Sequence, residues 1–134
     1  MATLSNDRKT ITVRAVDVHR AKMLLEAGEA VLIDVREFIE YEDEHIPGAA
    51  LFPLSDFDSR RPEGDGGKIG IFHCRSGRRT AEHFERFVDT GFREVVHMDG
   101  GIVDWSIAGY PVRSEDGEAG EPEESAQPSG SEAA

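Results

Sequence analysis

Residues 69–81 read IGIFHCRSGRRTA and contain the most informative pattern of the sequence. An apolar run typical of a buried strand leads directly into Cys74. A short loop containing Gly77 follows, and an amphipathic helix then begins. In an open parallel sheet, ligands bind beyond the carboxyl ends of the strands. The stretch therefore predicts a strand over Ile69–His73, with Cys74 at the edge of a sheet where chemistry can take place.

Two other apolar segments share the character of this strand. Val31–Val35 and Val95–Met98 are short, rich in branched side chains and nearly continuous, as expected of strands covered on both faces. Thr10–Val13 is a weaker strand candidate. Asp58–Gly67 holds proline, glycine and charged residues and is predicted to be a loop.

Helical periodicity occupies the segments between the strands. Helices are predicted over Ala15–Ala27, followed by a glycine cap, and over Arg79–Thr90, with an exposed i, i+4 pair between Glu82 and Arg86. Strands that alternate with helices favour an α/β fold, with a largely parallel sheet and helices on both faces. The apolar faces of the two helices would consist of Val18, Ala21 and Leu25, and of Ala81, Phe84 and Val88.

The residues that follow Cys74 are those expected around a reactive thiol. Backbone N–H groups of the following loop and first helical turn are expected to converge on its sulfur, and Arg75, Arg78 and Arg79 add positive charge within five residues. These effects favour the thiolate, which is the nucleophilic form. A cysteine at a strand end can also be a small buried hydrophobic residue. That interpretation leaves the arginines and the glycine unexplained.

Composition divides the 134 residues into three parts: a polar, flexible N-terminus (1–9), one folded domain (10–113) and a disordered acidic tail (114–134). The net charge of −12 falls to −5 when the tail's seven acidic residues are left out. Neither part offers the basic face that nucleic-acid binding needs.

The single cysteine excludes an internal disulfide and any zinc site that needs two thiolates. No apolar run approaches the roughly 20 residues of a membrane span, and the polar N-terminus lacks the pattern of a secretory signal. A cytoplasmic protein without membrane partners is therefore expected.

Several stretches over about residues 10–112 resemble, in order, the motifs of the rhodanese-like domain family. VLIDVRE (31–37) resembles the family's opening strand and Asp-x-Arg signature. EHIPGA (44–49) is similar to its Gly-His-Ile-Pro-Gly-Ala segment, with Glu44 in place of glycine. CRSGRRT (74–80) resembles its Cys-Arg-x-Gly-x-Arg-Ser active-site loop, with Thr80 in place of serine. Gly91-Phe92 and the segment 100–111, GGIVDWSIAGYP, resemble its closing pattern.

The resemblance implies a central, mostly parallel five-stranded sheet with helices on both faces, and a thiosulfate sulfurtransferase-like enzyme. Cys74 would accept sulfane sulfur from a donor such as thiosulfate as a persulfide, and cyanide, a thiol or a partner protein would remove it. No metal or organic cofactor is implied, and a monomer or weak dimer is expected. The implied cradle for the substrate and persulfide is formed by Arg75, Ser76, Gly77, Arg78, Arg79 and Thr80.

Asp34 and Arg36 form the other charged pair that the motifs contain. They could shape the pocket from a neighbouring strand, or they could be a partly buried ion pair that braces the fold. His73 adjoins the nucleophile, but neighbouring strand residues point to opposite faces, so it need not reach the same pocket.

Two alternative functions remain open. Cysteine phosphatases and arsenate reductases on the same scaffold use a cysteine, five residues and an arginine; here that position is Thr80, and Arg79 comes one residue early. The second alternative is a non-catalytic interaction or sulfur-carrier module. Such modules typically lose the cysteine or the charged loop, and this chain retains both.

Overall fold

The computed structural model describes residues 3–6 and 9–114, so the predicted tail beyond Ser114 lies outside the described residues. Its first two strands, β1 (Thr3–Asn6) and β2 (Lys9–Thr12), form an antiparallel hairpin. The strand predicted over Thr10–Val13 thus begins one residue earlier, and it pairs outside the main sheet. The sequence predicted no strand over Thr3–Asn6, because it predicted a polar, flexible N-terminus over residues 1–9.

The main sheet has five strands, and all of their pairings are parallel. The order across the sheet is β3-β7-β6-β4-β5, so the central position belongs to the strand that leads into Cys74. The predicted α/β class and five-stranded parallel sheet are confirmed. The strands are β3 (Ala15–Val16), β4 (Ala30–Asp34), β5 (Ala50–Leu51), β6 (Ile69–His73) and β7 (Glu94–Met98).

The three long strands are covered on both faces, which explains their continuous apolar sequences. Every residue of β6 is buried, as are four of the five residues in each of β4 and β7. The predicted boundaries of β6 are confirmed, and those of β4 and β7 differ by one residue. Burial on both faces removes the alternation of polar and apolar residues that a half-exposed strand would show.

The first helix, α1 (Val18–Glu26), begins three residues later than predicted. Asp17 caps it by accepting a hydrogen bond from the Arg20 N–H at 2.8 Å, and the preceding Ala15–Val16 pairs with β7 as the edge strand of the sheet. Val18 and Ala21 are buried as expected. Leu24 is buried in place of the predicted Leu25, which is half-buried.

The helix predicted over Arg79–Thr90 is wrong in length. It is observed as α3 (Arg78–Glu82) and a separate 3₁₀ turn over Phe84–Arg86. Phe84 and Phe87 are both buried, and a 3₁₀ turn places residues three apart on one side. The predicted Glu82–Arg86 pair is consequently absent: Glu82 pairs with Arg78, and Arg86 pairs with Asp58.

Helices α2 (Phe38–Asp43) and α4 (Gly101–Ile107) complete the fold. Helices α1 and α4 cover one face of the sheet, where Val18, Ala21, Ile102 and Trp105 pack on the strands. The 3₁₀ turn covers the other face, where Phe84 joins an aromatic cluster. Helices therefore lie on both faces, as predicted, and Asp58–Gly67 is a loop. That aromatic cluster consists of Phe57, Phe72, Phe84 and Phe87.

Candidate functional site

Cys74 lies directly after β6, at the carboxyl edge of the parallel sheet. The residue is 1% exposed and belongs to the same apolar cluster as Phe72 and Phe84. On its other side, the Gly77 N–H donates a hydrogen bond to Sγ at 3.1 Å. The thiol thus sits between an apolar layer and a polar loop.

The loop after Cys74 is held by the beginning of α4. The N–H of Ile102 donates to the Cys74 carbonyl at 3.1 Å, and the N–H of Val103 donates to the Arg75 carbonyl at 3.0 Å. A Cβ atom on Gly101 would lie 2.4 Å from the Arg75 carbonyl oxygen, so this approach requires glycine. The Gly-Gly pair at 100–101 therefore fixes the loop from the opposite side.

Gly77 gives the loop its turn toward the sulfur. Its φ of 96° is in the left-handed region, which residues with a Cβ atom rarely adopt. An added Cβ would also lie 2.9 Å from the Gly100 nitrogen. This conformation directs the Gly77 amide to Sγ. Within the described part of the chain, it is the one backbone amide that donates to the sulfur, where the sequence predicted a converging set.

Thr80 is 0% exposed and completes the contacts of the sulfur. Its Oγ1 lies 3.7 Å from Sγ of Cys74 and donates to the Gly77 carbonyl at 3.1 Å, the back-bond that threonine often forms in the first turns of a helix. Thr80 and Gly77 are thus the two predicted cradle residues that contact the sulfur.

The other predicted cradle residues lie further from the sulfur. Arg75 and Ser76 are exposed, and the Arg78 side chain is 83% exposed and pairs with Glu82. Arg79 is directed to Glu40, with Nη1 and Nη2 at 2.9 and 2.8 Å from the two carboxylate oxygens. No guanidinium group among the described residues donates to Sγ. The arginines therefore supply charge to the loop and do not contact the thiol.

A family model described as a rhodanese-like domain matches residues 17–108, from the cap of α1 to the end of α4. This range covers more than half of the chain and includes the loop around Cys74. The chain belongs to the rhodanese-like domain family. The loop around Cys74 thus lies within the matched range of this rhodanese-like domain.

The chain is similar to known proteins in both sequence and structure. The chain is 26% identical over 97 residues to a sulfurtransferase of Allochromatium vinosum, covering 72% of this chain and 91% of that protein. It is 31% identical over 97 residues to a putative sulfur carrier protein of Bacillus subtilis, covering 71% and 52%. A rhodanese-related protein of Thermoplasma volcanium superposes with a TM-score of 0.64 at 27% identity, covering 74% and 96%. The chain spans about half the length of two other curated relatives, 51% of one and 43% of the other.

Glu40 is a part of this rhodanese-like site that the sequence analysis missed. Its hydrogen bonds with Arg79 are the largest cause that lowers the pKa of Glu40 from 4.5 to about 2, and partial burial opposes them. The same contact raises the pKa of Arg79. Glu40 also accepts from the Glu37 N–H at 3.0 Å as part of a capping box that starts α2. The spacing Glu37-x-x-Glu40 was the available signal.

Asp34 and Arg36 form a buried ion pair beside the rhodanese-like loop. Arg36 Nε donates to Asp34 Oδ1 at 3.0 Å, and Nη2 donates both to Asp34 Oδ2 at 2.8 Å and to the Glu44 carbonyl at 2.7 Å. These contacts tie the end of β4 to the segment after α2. Arg36 also acts electrostatically on Glu40, so the pair supports the site without touching the sulfur.

His73 points away from the thiol of this rhodanese-like domain. It is 0% exposed, its Nδ1–H donates to the Cys74 carbonyl at 3.0 Å, and Nε2 lies 3.5 Å from Asp34 Oδ2. Burial lowers the pKa of His73. The expectation that it occupies the face opposite the Cys74 side chain agrees with these contacts.

His97 is the second residue that the sequence analysis did not place in the site. It is 4% exposed, and its Nδ1 lies 3.0 Å from Thr80 Oγ1. The available signal was its position near the carboxyl end of β7, because parallel strands bring their carboxyl ends to one edge.

Two further features are absent from residues 3–6 and 9–114. No group of three or more His, Cys, Asp or Glu side chains in these ranges is arranged to hold a metal ion. Nor does any helix in them have the length and apolar character needed to cross a bilayer.

Proposed function

We propose that this rhodanese-like domain is a sulfurtransferase that carries sulfane sulfur as a persulfide on Cys74. The observation that carries the proposal is the sulfur environment: the chain's only cysteine lies at the carboxyl edge of the sheet, with the Gly77 N–H 3.1 Å from Sγ. An inert buried thiol needs no such donor. An anionic sulfur buried in an apolar cluster does need one.

The proposed reaction has two balanced steps. In the first, the Cys74 thiolate attacks the outer sulfur of thiosulfate, a new S–S bond forms, and the old S–S bond breaks with its electron pair leaving on sulfite. In the second, a nucleophile such as cyanide attacks the outer sulfur of the persulfide and leaves as thiocyanate, which restores the thiolate. In each step the products together have the same atoms, electrons and total charge as the reactants, so neither step needs an outside oxidant or reductant.

Positive charge on the loop favours an anionic donor. Arg75 is exposed and has no side-chain partner among the described residues, so its guanidinium group is available to a sulfonate. Arg79 is occupied by Glu40, and its charge is largely balanced there. We therefore assign the first contact with the donor to Arg75, and to Arg79 the task of keeping the loop and α2 together.

A thiol or a protein is the proposed acceptor in the cell. The name of the Bacillus subtilis relative, a putative sulfur carrier protein, supports this class of acceptor chemistry. The persulfide would be formed on a residue that is 1% exposed, so an acceptor has to approach from the loop side, where Arg75 and Ser76 are exposed.

The test is sulfur transfer from thiosulfate to cyanide, together with intact mass spectrometry after thiosulfate treatment. We expect thiocyanate formation and a gain of one sulfur atom in the wild-type chain, and neither in Cys74→Ser. Arg75→Ala should raise the KM for thiosulfate, and Arg79→Ala should reduce turnover sharply. Arg20→Ala, an exposed arginine on α1, serves as the matched control and should leave both constants unchanged.

Two outcomes would contradict the proposal. Hydrolysis of an aryl phosphate without sulfur transfer would favour the phosphatase alternative. If neither reaction occurs and no extra sulfur is found on Cys74 with any small donor, an interaction module is the better interpretation.

A further inference from the structure

Thr80 brings a hydroxyl group to Cys74 and shares it among three neighbours. Its Oγ1 lies 3.7 Å from Cys74 Sγ, 3.1 Å from the Gly77 carbonyl oxygen and 3.0 Å from His97 Nδ1. Thr80 is 0% exposed, so bulk water does not compete for these contacts. A hydroxyl group has one proton to donate, so its acceptors compete for it.

The proton on His97 Nδ1 determines what the Thr80 hydroxyl can do. If Nδ1 carries a proton, it donates to Oγ1, and the hydroxyl proton remains available to the sulfur or to the Gly77 carbonyl. If Nδ1 is bare, it competes with the sulfur for the same hydroxyl proton. A donor at Nδ1 is therefore the arrangement in which Thr80 can stabilise an anionic sulfur.

His97 is held so that one ring nitrogen faces Thr80. Its backbone N–H donates to the Arg14 carbonyl at 2.9 Å, which ties it to the edge of the sheet. The ring of Phe84 stands nearly edge-on to the imidazole, with the centroids 6.2 Å apart. Burial lowers the pKa of His97 and Asp99 opposes this effect, and the net lowering favours the neutral ring.

We propose that His97 is a positioning residue for Cys74. Its Nδ1–H donates to Thr80 Oγ1, so the hydroxyl proton, which is donated to the Gly77 carbonyl in this structure, is left free to turn to an anionic sulfur, the stronger acceptor. The thiolate then has the Gly77 amide and this hydroxyl as donors. The consequence for sulfur transfer rests on the function proposed above. The hydrogen-bond chain itself acts on the thiolate, whichever electrophile the thiolate attacks.

The test uses a reaction that does not depend on sulfur transfer. Because Cys74 is the only cysteine, its alkylation by iodoacetamide, followed by intact mass, reports on this thiolate alone. His97→Leu and His97→Asn have side chains of similar size, but only asparagine keeps an N–H donor near the position of Nδ1. At neutral pH we expect alkylation to be about three- to tenfold slower in His97→Leu and within about twofold of wild type in His97→Asn.

A double variant shows whether His97 acts through Thr80. Thr80→Val should slow alkylation about as much as His97→Leu, and Thr80→Ser should stay close to wild type. In the Thr80→Val background, His97→Leu should have no further effect. The proposal is overturned if His97→Asn is as slow as His97→Leu, or if His97→Leu slows the Thr80→Val protein as much as it slows wild type.

A measurement on the wild-type protein keeps the proposal testable if His97→Leu does not fold. The chain has five histidines, and long-range ¹H–¹⁵N NMR correlations identify the protonated nitrogen of each. We expect Nδ1–H on His97 at neutral pH, and a bare Nδ1 would contradict the proposal. If the alkylation pattern holds but thiosulfate adds no sulfur to Cys74, the proposed function fails while the positioning role stands. If the persulfide forms normally but His97→Leu is alkylated as fast as wild type, the positioning role fails while the proposed function stands.

Discussion

At the scale of single residues, Cys74 is a buried thiol that has both apolar and polar neighbours. The residue is 1% exposed and packs in the cluster of Phe72 and Phe84, an environment that opposes a negative charge. The donor at 3.1 Å from Gly77 counteracts that opposition, and it acts with little screening because water is excluded. Few donors serve the sulfur, so each one should have a large effect on its reactivity.

Gly77→Ala should nearly abolish sulfur transfer, because the added Cβ lies 2.9 Å from the Gly100 nitrogen and moves the amide that donates to Sγ. Gly66→Ala is the matched control: Gly66 also has a positive φ, 84°, but a Cβ there would meet no atom within 4 Å. Both variants should lose about 1 kcal/mol of stability from the strained φ. Only Gly77→Ala should lose turnover, measured as thiocyanate formation. Equal turnover in the two variants would contradict the assigned role of the Gly77 amide.

At the scale of secondary-structure elements, the ion pair between Glu40 and Arg79 joins α2 to α3. Helix α2 has no buried residue, so it depends on its cap and on its contacts with neighbours. Glu40 supplies both, since it accepts from the Glu37 N–H and binds Arg79 through two hydrogen bonds. Asp34 and Arg36 form a second charged pair beside it, at the end of β4.

Glu40→Gln should flatten the acid dependence of stability. The pKa of Glu40 is lowered from 4.5 to about 2, mainly by Arg79, so its contribution is present above pH 4.5 and is lost as the pH falls toward about 2. Thermal midpoints measured across this range should fall more steeply for wild type than for Glu40→Gln. Glu82→Gln, which affects the exposed pair with Arg78, should follow wild type. Parallel curves for wild type and Glu40→Gln would show that the Arg79 contact does not stabilise the fold.

At the scale of the whole molecule, the central sheet separates two cores with different compositions. The face covered by α1 and α4 is mostly aliphatic, with Trp105 at its border. The face that contains Cys74 is aromatic, and Phe87 contacts the rings of Phe57, Phe72 and Phe84. The site therefore lies against an aromatic layer, with Cys74 packed in the same cluster.

Phe87→Ala should cost about 3–5 kcal/mol of unfolding free energy, because Phe87 is 0% exposed and its removal leaves a cavity among three rings. Phe38→Ala is the matched control, since Phe38 is 60% exposed and its loss should cost less than about 0.5 kcal/mol. Urea unfolding followed by the fluorescence of Trp105, the only tryptophan, measures both. Similar losses in the two variants would contradict the description of this core.

The length of α3 shows where prediction from sequence ended. The periodicity of Ala81, Phe84 and Val88 predicted a helix to Thr90, yet α3 ends at Glu82. Phe84 and Phe87 enter the aromatic layer through a 3₁₀ turn, whose three-residue period brings both rings to the sheet. The 3₁₀ turn depends on packing against Phe57 and Phe72, which are distant in sequence. Local periodicity therefore could not predict where α3 ends.

Local patterns in the sequence were sufficient to predict the α/β class, the three long strands and the position of Cys74 at a strand end, because each of these depends on a few adjacent residues. The need for glycine at 77 and the contacts of the loop follow from the tertiary structure, since a Cβ on Gly77 would meet Gly100. Glu40 and Arg79 are 39 residues apart, and Thr80 and His97 are 17 apart. Parallel strands bring their carboxyl ends to one edge whatever their separation along the chain, so these pairs exist only once the sheet has formed.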